Sequence, residues 1–177
     1  MNGLEMLVKL GIPEQFIAHP EAWLCLSGDQ AFQELLQTPL RTLLVQGDAL
    51  EALNELRIPV LDDHAGVLKG TALLEVVSYR DVSKPLPLAK ELELTGEELQ
   101  PQYLATRTFK LLLTDGTDRT FVAMEYEPCP ALDQVRLGAK LQIKDCSYLH
   151  GVLMLNSKCA RLLGGPTNLW NDDPPDT

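Results

Sequence analysis

The sequence is poor in the side chains that most often carry catalysis or hold metals. It has three histidines and four cysteines in 177 residues. His19, His64 and His150 lie far apart along the chain, and none stands beside a Ser or Cys in a recognisable nucleophile motif. Cys25, Cys129, Cys146 and Cys159 form no C-x-x-C pair and have no His at ligand spacing, so neither a zinc site nor a disulfide framework is indicated. They read as buried or idle thiols. Asp62-Asp63 ahead of His64 reads as solvated loop acids rather than a metal site. A Gly-rich phosphate loop and a dinucleotide fingerprint are both missing. The expectation is a chain that is not an enzyme and holds no metal or cofactor. No apolar run approaches the ~20 residues of a membrane span, and MNGLEMLVKLG lacks the basic start and small-residue cleavage site of a signal peptide. The chain is therefore expected to be intracellular and away from membranes.

Positive charge is scarce as well: 15 Lys and Arg stand against 25 Asp and Glu, a net charge of −10. The excess is uneven. Residues 1–69 hold 10 acids and 4 bases, residues 70–165 hold 12 and 11, and the stretch from Pro166 onward holds 3 acids and no base. The central segment is near neutral, whereas an autonomous nucleic-acid binder normally presents a basic face.

What is present first is a series of helix signals. Asn2 with Glu5 three positions later has the form of a capping box, followed by Leu4, Leu7 and Val8 and a stop at Gly11. Pro13 and Pro20 each fit the first position of a short helix, over 13–18 and 20–26. Ser27 with Gln30 repeats the cap signature, and Phe32, Leu35 and Leu36 form the apolar stripe of a helix that must end near Pro39. Asp48 with Glu51 is expected to cap another helix carrying Leu50, Leu53 and Leu56. Residues 1–60 thus read as a small helical bundle, and 57–69 as a connection.

The period then changes to two. Phe109, Leu111 and Leu113 alternate with Thr108, Lys110 and Thr114, with Leu112 spoiling the polar face. Asp115-Gly116 supplies the turn of a tight hairpin, and Arg119–Tyr126 returns with Val122, Met124 and Tyr126 on one side. Ala139, Leu141 and Ile143 alternate with Lys140, Gln142 and Lys144, and a His150-Gly151 turn leads into Val152–Leu155. With Ala72–Tyr79 upstream these make five strands, enough for the small oligonucleotide/oligosaccharide-binding barrel, the OB-fold. The expected fold is α+β: a helical bundle over 1–60 packed on a five-stranded barrel over 61–165, then a flexible acidic tail over 166–177. Arg161–Gly165 reads as chain punctuation.

Between the first two strands lies an insertion over 80–105, too long for a mere connector in a compact domain. Leu86, Leu88, Leu92, Leu94 and Leu99 sit there among Glu91, Glu93, Glu97 and Glu98. Exposed leucines call for a partner; the alternative is that 88–98 folds back as a small helix covering the barrel. For nucleic acid, Phe109 and Phe121 lie among apolar neighbours and read as core rather than stacking platforms. Lys110, Arg119, Lys140 and Lys144 would form a modest basic strip for weak nucleic-acid contact.

In this order, LLLTDG, AMEY, GAKLQI, HGVLMLN and LLGG, with DVSKP upstream, resemble over roughly 61–165 the N-terminal OB-fold of the RecQ-mediated genome instability family, the accessory subunit of topoisomerase III. The Tudor-domain scaffold of topoisomerase III beta has a similar N-terminal half. The resemblance implies a non-catalytic scaffold that binds a type IA topoisomerase. It would act on the DNA gate through the insertion, with Asp81, Lys84, Pro85, Leu86, Leu88, Leu92 and Leu94 meeting the partner. It also implies a nuclear protein that works with a RecQ-type, Bloom-like helicase in double Holliday junction dissolution and meets DNA mainly through that complex. The alternative is a stand-alone OB-fold module for single-stranded nucleic acid.

Overall fold

The computed structural model describes residues 1–53, 55–83 and 107–166. The helices begin where local chemistry favours them. α1 (Gly3–Leu10) is opened by a full capping box, in which Asn2 Oδ1 accepts the Glu5 N–H at 2.9 Å and Glu5 Oε2 accepts the Asn2 N–H at 3.1 Å. α2 (Pro20–Leu24) starts on its proline, and a 3-10 turn over Glu14–Phe16 precedes it. α3 (Gly28–Gln37) repeats the capping box with Ser27 and Gln30, and α4 (Leu40–Leu43) follows directly after Pro39. α5 (Asp48–Leu53) differs from expectation at both ends. Asp48 is its first helical residue rather than its cap, and the Leu50 and Glu51 N–H groups bond to the Gly47 carbonyl. Leu56 lies beyond the helix, exposed.

α1 stops at Gly11, which takes φ 107, where an added Cβ would come within 2.7 Å of Ala72 Cα and the Thr71 carbonyl. The helix end is thus wedged against the first strand. Gly11→Ala is expected to cost at least about 2 kcal/mol, from left-handed strain plus overpacking. Urea unfolding would show a lower midpoint at unchanged slope; an unchanged midpoint would contradict the wedge.

β1 runs over Ala65–Asp81, so it begins well before Ala72 and absorbs part of the expected connection. Its pairing slips between Leu68 and Thr71, where Gly70 takes φ 85 and donates its N–H to Asp145 Oδ1 at 2.8 Å. β2 (Phe109–Thr114) and β3 (Thr120–Glu125) form a hairpin whose loop spans 115–119 rather than a two-residue turn. The buried Asp115 carboxylate accepts the Thr117 N–H at 2.9 Å, so the side chain builds the turn. After a second 3-10 turn (Pro130–Gln134) come β4 (Lys140–Leu149) and β5 (Val152–Leu155), joined by His150 at φ 49 and Gly151 at φ 74. Residues 160–164, expected as punctuation, form a further strand, β6, because Leu141, Gln142 and Ile143 offer it a free edge of β4.

β1 pairs with both β2 and β4, β2 with β3, β3 in parallel with β5, and β5 with β4, which closes a five-stranded ring. This is the OB-fold barrel, and β6 extends it on β4. The barrel core is formed by Leu74, Leu111, Leu113, Phe121, Ala123, Leu141, Ile143 and Leu153, with their neighbours. On β3 the inward residues are Phe121, Ala123 and Glu125, so the Val122, Met124 and Tyr126 side faces outward.

The helices pack on the outside of β1 and β4. Leu73 is wholly buried within their cluster beside Leu7, Phe16, Leu35 and Leu40. Arg57 is buried at this seam, donating to the carbonyls of Gly11 and Leu73. Burial lowers its guanidinium to about 10 and nearby Asp115 raises it, so it stays a cation at neutral pH.

Candidate partner-docking face

The barrel's outer surface over β2, β3 and β5 is apolar where a solvated strand would be polar. Cross-strand register places Leu112 opposite Val122, and Val122 opposite Val152; one step along, Met124 lies opposite Lys110 and Met154. Leu112, Val122, Met124, Val152 and Met154 are all half-buried, with Tyr126 66% exposed just past the end of β3. Arg80 pairs with Lys110 at the margin, both exposed. The residues form rows of aliphatic and thioether side chains with a cationic rim. Flexible Met side chains on a broad surface suit an adaptable protein contact. The outlying Leu112 and the Val122, Met124, Tyr126 series already mark this face in the sequence.

Next to this face the chain leaves for the insertion and returns. Asp81 Oδ1 accepts the Ser83 N–H at 3.0 Å, the Ser83 hydroxyl at 2.6 Å and the Thr108 N–H at 3.2 Å, tying the outgoing strand to the incoming one. Val82 donates its N–H to the Thr108 carbonyl at 2.8 Å. Arg107 bonds Glu125 at 3.2 Å and Asp133 at 2.7 Å, with its guanidinium 4.7 Å from the Phe109 ring centroid. Glu125, nearly buried, also accepts the N–H groups of Phe109 at 3.0 Å and Cys129 at 2.8 Å. The insertion therefore springs from a braced stem. Of its expected contacts, Asp81 is part of this stem. Lys84, Pro85, Leu86, Leu88, Leu92 and Leu94 lie outside the described residues. Arg107 and Glu125 escaped the sequence reading, although a lone Glu at an inward strand position is the signal that points to a braced site.

The four expected basic residues do not form one strip. Lys110 is exposed on β2 opposite Arg80, whereas Lys144 is exposed on β4 opposite Thr71. Thr71 and Arg80 are nine residues apart on β1, roughly 30 Å at ~3.3 Å per residue. Arg119 is drawn to Asp115 at 3.8 Å, bonds the carbonyls of Ile58 and Pro59, and lies 4.9 Å over the Phe121 ring. Lys140 is 1% exposed, with Nζ 2.8 Å from Glu75 and 3.1 Å from the Gly138 carbonyl. Among the histidines, His64 and His150 come together through the backbone, where the His150 N–H donates to the His64 carbonyl at 3.2 Å. Among the described residues no group of three or more His, Cys, Asp or Glu is placed to hold a metal, and no helix is long and apolar enough to cross a membrane.

Comparison with known proteins gives a family. The profile of the RMI1 N-terminal OB-fold domain matches residues 51–174. No curated protein matches the sequence. Among solved structures, a chain from work on the molecular basis for abrogation of activation of pro-inflammatory cytokines is similar at 13% identity with a TM-score of 0.36. The alignment covers 64% of this chain and half of that one, and a likeness so slight carries no argument.

Proposed function

Because the chain belongs to the RMI1 N-terminal OB-fold family, a family of genome-stability modules, we propose that it is a non-catalytic scaffold that binds a type IA topoisomerase of the topoisomerase III class. Its partner carries the chemistry. In this reading the assembly includes a RecQ-type helicase, acts in the nucleus and dissolves double Holliday junctions. The chain supplies differential binding to one state of the DNA gate, which is how a partner shifts such an equilibrium. The domain division expected from the sequence is kept as part of the proposal: helices over 1–60, barrel over 61–165, insertion over 80–105 and acidic tail over 166–177. The insertion is assigned the gate contact on the family resemblance together with its leucines and glutamates.

The observation that carries this reading is the apolar outer face of β2, β3 and β5. A barrel that binds single strands unaided stacks bases on aromatic side chains along a cationic groove. Here the rows are Leu, Val and Met, and the cations Lys110 and Lys144 lie on β2 and β4, opposite Arg80 and Thr71, nine residues apart on β1. A protein surface is the fitting counterpart, with Arg80 and Lys110 contributing at its rim.

The face is tested with a Leu112→Asp/Met124→Asp double variant. Both positions are half-buried on the barrel's exterior, so the protein should fold while its affinity for the topoisomerase falls at least about tenfold, the worth of one desolvated charge of ~1.4 kcal/mol or more. Unchanged affinity by calorimetry would move docking off this face. Titration of the unmodified chain with labelled single strands forms the other arm, and tight binding there would favour the stand-alone module. Replacing Lys84–Gln100 by a short Gly/Ser linker should preserve the fold and residual binding but abolish stimulation of decatenation, since loop length itself contributes little to stability.

A further inference from the structure

Cys146 and Cys159 meet where β6 starts along β4, each thiol donating to the Met154 carbonyl of β5, at 3.5 and 3.6 Å, and the proposed function makes no use of them. Their sulfurs are 3.5 Å apart. Local structure holds both in place. Asp145 takes φ 47, and Cys146 follows it facing inward, wholly buried. Cys159 closes a turn in which Asn156 Oδ1 accepts the N–H groups of Lys158 at 2.9 Å and Cys159 at 3.0 Å, and its carbonyl accepts the Lys144 N–H at 2.8 Å. At 9% exposure Cys159 is the member that a small oxidant reaches first. A disulfide needs about 2.05 Å between sulfurs, so closure asks for a movement of roughly 1.5 Å, within the range of side-chain rotation and small backbone adjustment.

We propose that Cys146 and Cys159 form a peroxide-oxidisable dithiol, a modification site that closes to an intramolecular disulfide tying β6 to β4. The neighbouring sulfur works in opposite directions on the two thiols. The hydrogen bond with Cys146 lowers Cys159 to about 6, while the same hydrogen bond and burial push Cys146 up. Cys159, the more exposed of the two, is thus the nucleophile and the wholly buried Cys146 the resolving thiol. The Cys159 thiolate attacks one oxygen of hydrogen peroxide and the O–O bond breaks. The departing hydroxide takes a proton to become water, leaving Cys159 as the sulfenic acid. The Cys146 sulfur then displaces the sulfenic oxygen, which leaves as water with the Cys146 proton, and the S–S bond forms. Two thiols and one peroxide give one disulfide and two waters; each sulfur loses one electron and the peroxide gains two.

The test treats the full chain with hydrogen peroxide at about pH 7.5, removes the oxidant with catalase, then denatures and alkylates with N-ethylmaleimide for intact-mass and peptide analysis. Of four cysteines, Cys146 and Cys159 should resist alkylation and appear as one linked peptide about 2 Da lighter than its reduced parts. The oxidised protein should melt at a higher temperature than the reduced one. The reaction should slow roughly tenfold between about pH 7.5 and about pH 5 as the Cys159 thiolate is protonated. Cys159→Ser should leave Cys146 fully alkylatable after the same exposure. Should that variant fail to fold, the peptide map of the unmodified chain still decides. Full alkylation of Cys146 and Cys159 once exposed Cys25 has been oxidised would overturn the proposal, as would a linkage between any other pair.

Discussion

Leu111→Asp is expected to unfold the barrel. Leu111 is 1% exposed, lies opposite Tyr79 on β1 and Ala123 on β3, and packs in the cluster with Leu113, Phe121 and Leu153. A carboxylate at that position has no cation and no listener for its lone pairs among those side chains, and transfer of an unpaired charge into such surroundings costs well over ~4 kcal/mol, a large fraction of a domain's ~5–15 kcal/mol. One residue earlier, Lys110 points to solvent. Lys110→Asp should stay within about half a kcal/mol. Urea unfolding of the two variants measures the contrast. Similar losses for both would mean that the strand register is displaced by one residue.

Glu75→Ala should have the second-largest effect, because it removes the partner of a buried cation. Glu75 Oε2 receives Lys140 Nζ at 2.8 Å and also the Leu40 N–H at 2.8 Å, so one carboxylate neutralises the barrel's buried lysine and fastens the start of α4. Truncation leaves Lys140 with the Gly138 carbonyl alone. Stranding a buried charge costs about 3–5 kcal/mol, and losing the acceptor for a buried N–H adds roughly 1–3 kcal/mol. Lys140→Met should cost less, since the Glu75 side chain is 17% exposed and keeps its bond to Leu40. Combining Lys140→Met with Glu75→Gln should recover most of the loss, as replacing a buried pair by groups of similar volume often does. A thermodynamic cycle from urea unfolding tests this. A loss under about 1 kcal/mol for Glu75→Ala would mean that water already solvates the pair.

The two halves of the fold differed in how far they could be read in advance, and range along the chain explains the difference. Asn2 with Glu5 and Ser27 with Gln30 are separated by three residues, and both capping boxes form as expected. Alternation located β2, β3 and β4, and the His150-Gly151 turn located β5, for the same local reason. The start of β1 was hidden because Gly66 and Lys69-Gly70 interrupt the pattern. Gly66 is needed there because the Tyr148 ring lies over it, with the hydroxyl 2.4 Å from where a Cβ would be. β6 is a strand only because β4 offers it an edge. The docking face followed the same division. Leu112 and Met124 stood out in the sequence, yet their adjacency needed the register of β2 on β3. Lys110, Arg119, Lys140 and Lys144 looked alike as letters. Partners far away in sequence separate them: Glu75 stands 65 residues from Lys140 and the Ile58 carbonyl 61 from Arg119.

The central claim, that this barrel is a scaffold for a type IA topoisomerase, is tested most directly by sedimentation velocity on the purified chain mixed with a topoisomerase III, in the absence of DNA. The account predicts a single faster boundary containing both proteins, retained by the variant lacking Lys84–Gln100 and diminished by Leu112→Asp/Met124→Asp. Independent sedimentation of the two proteins at micromolar concentration, with the chain alone shifting onto labelled single-stranded DNA, would contradict it.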